Sequence, residues 1–547
     1  MGAARAHEDN EHERSDMSDR EFDVLVVGAG LGGLSTAMFL ARQGVRVLVV
    51  ERRSGLSPYP RAAGQNPRTM ELLRIGGVAD EVTRVDDIRG AQGDFVIRIG
   101  RTVRGEPVRT VSESFDAMVA ATAPCTPAGW AMLSQDKLEP ILLSQAERHG
   151  GSLRFDTRLV SFRQDDDGVT AALEGPDGAY DLRVRHLVAA DGSRSAVRES
   201  LGIGRYGHGT LTLMVGVIFD ADLTGLLEAS ATGWYYLHHP EFTGTFGPTD
   251  RPDRFTLFVE YDPEKGESPA DFTPRRCTEL IRLALESPGL EPEIVDIQGW
   301  EMAARIAERW RDGRVFLVGD AAKVTPPTGG MSGNAAVADG FDLAWKLGAV
   351  LNGQAGPGLL DTYEEERRTA AELVVAEALA IYAERMAPHM ADVWEKSVGY
   401  AETLLGFRYR SAAVLADDDD PARVENPLEP TGRPGFRGPH VPVLRDGEPV
   451  STIDLFGDGW TLIAGESGDT WGRAAADLAT ELGIVTKAFR VGLDITDPDD
   501  QVPGRYGIGK SGACLVRPDG VVAWRTDEAP ADTTAVLGAV LRRILDR

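Results

Sequence analysis

Three stretches of the chain run from an apolar segment onto a glycine or an acid and then into a helical pattern. They are VLVVGAGLGGLSTAMFLARQGVRVLVVE (24–51), LVAADGSRSAVRESLGI (187–203) and RVFLVGDAAKVTPPTGGMSGNAAVADGFDLAWKL (314–347). In the first, Gly28, Gly30 and Gly33 have the GxGxxG spacing. The first glycine makes a tight turn, the second lets backbone approach a pyrophosphate, and the third lets helix pack on strand. The helix N-terminus then offers its unpaired N–H groups and partial positive charge to phosphate. Glu51 closes the next strand 18 residues after Gly33, where a carboxylate can accept ribose hydroxyls. The second stretch turns at Asp191-Gly192 into a short helix carrying Ser195 and Arg198, and the third turns at Asp320 into a Pro-Gly loop. None of the three contains an evident nucleophile; what they share is glycine clearance, an acid at a strand end and a helix N-terminus.

These residues need elements to hold them. The β-branched runs predict buried parallel strands, and the periodic segments predict helices to about Gln43 and from about Gly333 to Leu351. Val24–Ala41 is an uncharged run of spanning length, but strand, glycine turn and helix account for it without a membrane. A second GxGxxG, Gly507 to Gly512, leads into ACLVRPDGVVAWR, a strand, a turn and another strand. With no helix N-terminus to follow, that copy is not expected to bind a nucleotide.

The length, 547 residues, predicts two or three domains. A formal charge of −27 argues against nucleic acid or an anionic membrane as partner. Cys125, Cys277 and Cys514 form no CxxC, which fits a reducing, cytoplasmic setting without a disulfide frame or metal site. Residues 1–20 are charged, lack the apolar core of a signal peptide and read as a disordered tail, with Met17 as a candidate natural start.

Together the GxGxxG, Asp-Gly and Gly-Asp segments resemble those of flavoprotein monooxygenases of the para-hydroxybenzoate hydroxylase type. Long stretches such as SPYPRAAGQNPRTMELLRIGGVADEV and TGWYYLHHPEF resemble the aromatic polyketide hydroxylases within that family. The resemblance implies FAD and NADPH as cofactors. It assigns Gly28, Gly30, Gly33 and Glu51 to the ADP half of FAD, Arg61 to its pyrophosphate and Gln135 to the flavin. Asp191 and Gly192 fall to a motif serving FAD and NADPH, and Asp320 to the ribityl chain. Pro327 would shape the loop in which Gly329, Gly330 and Met331 place backbone N–H groups against the flavin edge where negative charge collects. Lys323 stands where many relatives have a histidine.

The implied fold is α/β and α+β. A discontinuous Rossmann-like FAD-binding domain (21–90, 126–200, 298–415) is interleaved with a substrate-binding β-sheet domain (91–125, 201–297). A Pro/Gly/Asp-rich linker (416–440) then leads to a thioredoxin-like domain (441–547) that lacks CxxC, so a structural or interface role is expected of it. The implied reaction is hydroxylation of a phenolic ring through a flavin C4a-hydroperoxide formed with O2. The expected substrate is a tetracyclic aromatic polyketide aglycone, an anthracyclinone, with aklavinone oxidised at C-11 leading; the alternatives are a Baeyer-Villiger-type or angucycline-type flavin oxygenase on a related polyketide and, last, a non-catalytic flavin-binding scaffold. The WxWxIP signature of flavin halogenases is absent. The chain count, monomer or homodimer, is left open.

Ring activation calls for a group beside the substrate phenol. LTLMVGVIFDA, TGWYYLHHP and RFTLFVEYD read as strands of an active-site wall. Tyr235 and Tyr236 are adjacent and point to opposite faces, so one of them faces the cavity, and Tyr236 is chosen. Arg385, in LAIYAERMAPHM, is the cation expected to favour a phenolate. His389, four residues on and expected on the same helix face, is a further candidate. Substrate-assisted ionisation or a bound water would serve in their place.

Overall fold

The computed structural model describes residues 21–58, 63–85, 95–112, 114–227, 232–249, 251–392, 394, 396–417 and 419–547. Arg61 and the tail at 1–20 lie outside the described residues.

The glycine turn and the two acid-ended stretches share one sheet. Its six strands run Arg311–Asp312, Val315–Leu317, His186–Ala189, Val24–Val27, Val47–Val50, Ser152–Arg154, parallel except for the first pair. VLVV, VLVV and HLVA are buried at every position because both faces of the sheet are covered. Helices Leu31–Arg42 and Met331–Leu351 cross closely on one another. A Cβ at Gly340 would sit 2.8 Å from the backbone nitrogen of Thr36, and Phe39 meets Phe341 edge-on at 4.6 Å. A three-stranded antiparallel sheet (Arg158–Asp165, Gly168–Gly175, Gly178–Val184) adds Val169, Ala171 and Leu173 to the same core.

A separate eight-stranded sheet carries the expected active-site wall, with long strands Arg205–Asp220 and Glu293–Ala307 paired antiparallel. The second of these stays in the sheet to Ala307, so the wall extends ten residues past the expected boundary at 297. One face packs on helix Pro274–Ala284, which Thr273 caps and Pro274 opens. Cys277, Leu280, Ile281 and Ala284 supply its buried stripe at helical spacing. Tyr235 belongs to that core with Phe246 and Leu257. Tyr236 belongs to the opposite face, among Trp130, Met132, Met214, Met302, Tyr382 and Met386.

The C-terminal unit is a four-stranded sheet in the order Thr486–Arg490, Trp460–Ala464, Ala513–Val516, Val522–Thr526. Helix Asp469–Leu482 crosses over between the first, parallel pair, and Thr533–Ile544 closes the unit. This is the thioredoxin-like arrangement. Cys514 is fully buried, and burial raises its thiol far above the ordinary range, which disfavours a reactive thiolate there. In the second GxGxxG, Gly507 ends helix Val502–Tyr506, and a Cβ at Gly509 or Gly512 would lie 2.4 or 2.3 Å from a backbone oxygen. Close packing explains those glycines.

The segment expected as a loose linker is packed. Phe436 is fully buried between the guanidinium groups of Arg408 and Arg433, and Arg437 reaches back to Glu71 and to the carbonyl of Cys125 (3.1 Å). A second buried ionic cluster joins the C-terminal unit to helix Asp361–Arg385. Arg517 donates to Glu366 (2.6 and 2.7 Å) and Asp519 (2.5 Å), and Lys346 donates to Glu366 (2.7 Å). The carboxylates of Asp342, Glu366 and Asp519 lie within 4.8 Å of one another, and Lys346 and Arg517 are ion-paired within the cluster.

Candidate active site

Register puts the functional strand ends side by side. Val27 pairs with Val50 and Ala189, and Ala189 with Leu317, so Gly28, Glu51, Asp191 and Asp320 follow four aligned parallel strands. Ligands of such sheets bind at this edge. Gly28 has φ +106°, and a Cβ there would lie 2.4 Å from the oxygen of Ala190. A Cβ at Gly33 would lie 2.0 Å from the oxygen of Gly28. Gly30 differs: the nearest atom to its Cβ position is a Glu139 oxygen at 4.0 Å. Gly30 is also the N-cap of helix Leu31–Arg42 and brings no side-chain cap to its first N–H groups. A cradle that a methyl group could enter, lined by helix N–H donors, fits a pyrophosphate.

Glu51 Oε2 accepts from the nitrogen of Ala29 (3.0 Å), tying the second strand to the glycine turn. Asp191 Oδ2 accepts from the nitrogen of Val197 (3.1 Å), while its buried Oδ1 has no hydrogen-bond partner among the described residues. Gly192 follows with φ +85°. Asp320 is exposed and accepts from the hydroxyl of Ser332 (3.3 Å). Gln135 opens helix Gln135–Arg148 and donates to Glu139 on its own helix (2.6 Å), so part of its amide is already committed.

The Pro-Gly loop has the shape expected of a bare backbone surface. Gly329 (φ +78°) and Gly330 (φ +64°) are consecutive left-handed residues, which glycine adopts without strain. Gly330 caps the helix that Met331 opens, again without a side-chain cap. The Met331 side chain is buried with Ala335, Val374 and Ile381 behind the loop, so only its backbone is placed to meet a ligand.

Arg385 ends helix Asp361–Arg385 and meets Tyr236 from across the sheet, a contact between residues 149 apart in sequence. Arg385 Nη1 donates to Tyr236 Oη at 3.3 Å, and the guanidinium carbon lies 5.4 Å from the tyrosine ring centroid. The pair faces a wall of aromatic and methionine side chains, a surface suited to a flat polycyclic ligand. His389 is not on the expected face. The helix stops at Arg385, because Pro388 disfavours helical backbone at Ala387 (φ −134°, ψ 64°), and His389 projects to solvent from the turn that follows.

Several further residues hold these segments together. Asn334 donates to the carbonyls of Gly330 (2.7 Å) and Gly64 (3.1 Å) and accepts from the nitrogen of Asn66 (3.0 Å), stitching the loop helix to the segment before Pro67. Asn66 caps that helix through the nitrogen of Thr69 (2.9 Å), and Asn-Pro was a legible start signal. Buried Arg198 donates to the carbonyls of Ala321 (3.0 Å) and Ser193 (3.2 Å), strapping the two acid turns together. Lys323 is buried beside Asp339, which also accepts from Arg367 (3.0 Å) and the nitrogen of Gly319 (3.2 Å). Burial lowers the lysine's pKa while Asp339 opposes the shift. On the active-site wall, burial raises the pKa of the Glu260 carboxyl.

A parallel sheet with this edge, a second sheet with an aromatic wall and a closing C-terminal unit define an FAD-dependent aromatic hydroxylase. The chain belongs to that family: residues 21–378 match the FAD binding domain and residues 431–547 the C-terminal domain of aromatic-ring hydroxylases. It is 78% identical to aklavinone 12-hydroxylase RdmE of Streptomyces purpurascens, over 97% of this chain and 100% of that one. It is 41% identical to the tetracenomycin A2 monooxygenase-dioxygenase of Streptomyces glaucescens, over 97% and 98%. A solved ternary complex of aklavinone-11 hydroxylase with FAD and aklavinone superposes with TM-score 0.96 at 79% identity, over 97% of this chain and 100% of that one.

Proposed function

We propose that this enzyme hydroxylates a phenolic ring of an anthracyclinone, with aklavinone as substrate, using NADPH and O2 in antibiotic biosynthesis. The observation that carries the reading is the contact of Arg385 with Tyr236 on an aromatic wall beside the cofactor edge. Relatives named for aklavinone oxidation, at positions numbered 11 or 12, support the substrate. The expected ring position is C-11.

Bound FAD, reduced by NADPH, supplies the activated oxygen. The chain holds it with Gly28, Gly30, Gly33 and the helix N-terminus at the pyrophosphate, Glu51 at the ribose, and Asp320 at the ribityl chain. Asp191, Gly192 and Gln135 act at the same edge, and Pro327 to Met331 present backbone to the ring; Arg61 keeps its pyrophosphate role on the family resemblance alone. Arg385 leaves the Tyr236 hydroxyl hydrogen free to reach a substrate oxygen, and its charge favours the substrate phenolate, which raises electron density on the ring. The apolar wall keeps water away from the reacting carbon.

The domain limits proposed are those read from sequence, with the wall domain running on to Ala307. Three buried free cysteines support a cytoplasmic enzyme. Among the described residues no helix is long and apolar enough to cross a membrane. The test is NADPH oxidation stimulated by aklavinone, giving a product 16 mass units heavier whose new oxygen NMR places on the ring. An ester of the same mass, or NADPH consumption that aklavinone leaves unchanged, would refute the reading.

A further inference from the structure

The Pro-Gly loop is held from a direction that its own sequence does not reveal. The hydroxyl of Tyr400 donates to the carbonyl of Gly329 at 2.8 Å, across 71 residues. The Tyr400 ring stacks on Trp130 of the active-site wall (centroids 6.0 Å apart, planes at 16°). It also packs against the cluster of Met331, Ala335, Val374 and Ile381 behind the loop, so one side chain touches both loop and wall.

Its own placement is built in. Ser397 donates to the buried carboxylate of Glu377, and the nitrogen of Gly399 donates to the Ser397 hydroxyl (2.9 Å). Gly399 then turns at φ +111°, with a Cβ position only 2.3 Å from a Glu402 oxygen, and Tyr400 opens helix Tyr400–Leu405. Burial holds the Tyr400 hydroxyl well above the usual tyrosine range, so it stays a donor at any working pH.

We propose that Tyr400 is a positioning residue for the cofactor loop: its hydroxyl fixes the Gly329–Gly330 peptide, and so the direction of the helix dipole and N–H groups aimed at the flavin. The inference rests on the placement of that loop at the flavin ring. A fixed loop favours the negative charge that gathers on the ring when FAD is reduced, so loosening it weakens the reduced complex more than the oxidised one.

The experiment uses full-length holoenzyme, with FAD affinity read from flavin fluorescence quenching and the two-electron midpoint potential from dye equilibration. Tyr400→Phe keeps the ring on Trp130 and removes one hydrogen bond. FAD should bind about fivefold more weakly. A further fivefold penalty on the reduced form lowers the potential by about 20 mV, at about 30 mV per tenfold. Tyr506→Phe is the comparison, since its buried hydroxyl donates to the carbonyl of Pro439 (2.8 Å) in the C-terminal unit. It should lose stability with no change in potential.

Gly329→Ala separates this proposal from the reading beneath it. A Cβ there would lie 2.8 Å from Ile381 Cδ1 on a backbone at φ +78°, so the variant distorts the loop directly. A potential that moves in Gly329→Ala but not in Tyr400→Phe overturns the role of Tyr400, as do equal shifts in Tyr400→Phe and Tyr506→Phe. A potential unmoved in both Gly329→Ala and Tyr400→Phe overturns the loop placement as well.

Discussion

Replacing Arg437 by methionine tests how the C-terminal unit is fastened to the cofactor domain. Glu71, on helix Pro67–Ile75, is buried and accepts from Arg437 (2.9 Å), Arg68 (2.9 Å) and Thr126 (2.6 Å). Burial alone would raise its pKa, but Arg437 and then Arg68 outweigh it and hold the carboxyl at about 2 against an ordinary 4.5. At about 1.4 kcal/mol per tenfold, that depression corresponds to about 3 kcal/mol of folded-state stability. Because the folded value is depressed, this contribution is complete above pH 4.5 and is lost as pH falls toward 2. Arg437→Met leaves a buried carboxylate short of its main partner and should cost about 3–5 kcal/mol. For 547 residues unfolding together, that is a fall of about 3–4 °C in a thermal scan followed by tryptophan fluorescence at pH 7. The double variant Arg437→Met/Glu71→Leu removes the stranded charge and should recover most of the loss. If the double variant melts lower than the single one, packing around Arg437 rather than the buried charge is what matters, and the reasoning fails.

The glycine turn gives a paired prediction. Gly30→Ala should fold and melt without FAD like the parent but bind FAD about tenfold or more weakly by fluorescence titration, whereas Gly33→Ala, with its Cβ 2.0 Å from a backbone oxygen, should lose about 3 kcal/mol or more or fail to fold. Tyr236→Phe and Arg385→Met should each lower aklavinone turnover about 10- to 100-fold with FAD uptake unchanged, and Arg385→Met should also move the pH profile of product formation to higher pH. Burial and then Arg314 lower the pKa of His186 from 6.5 to about 3, so stability from this group is complete above pH 6.5 and lost toward pH 3. His186→Phe should therefore show a melting temperature that changes less between pH 7 and pH 5 than the parent's.

The cofactor edge was legible because its signals are local. Each strand, turn and helix start is written within a dozen residues, and parallel register aligns the three turns without further instruction. The choice of Tyr236 over Tyr235 needed only the two-residue alternation of a strand plus knowledge of which face is the wall. What escaped was long-range pairing. Nothing near Tyr400 announces Gly329, and nothing in the linker's Pro, Gly and Asp content announces that Arg437 meets a glutamate 366 positions away. Likewise, no local pattern announces that Lys323 fills a buried ionic site with Asp339 and Arg367. His389 was misplaced by a local rule left unused, the effect of Pro388 on the residue before it.

The central claim is that molecular oxygen is inserted into an aromatic ring carbon of the substrate. Purified holoenzyme turning over aklavinone with NADPH under 18O2 tests it directly. One 18O atom per product is expected, retained as a new phenolic hydroxyl on the ring. Label in an ester or lactone, or a hydroxyl carrying oxygen from water, would contradict it.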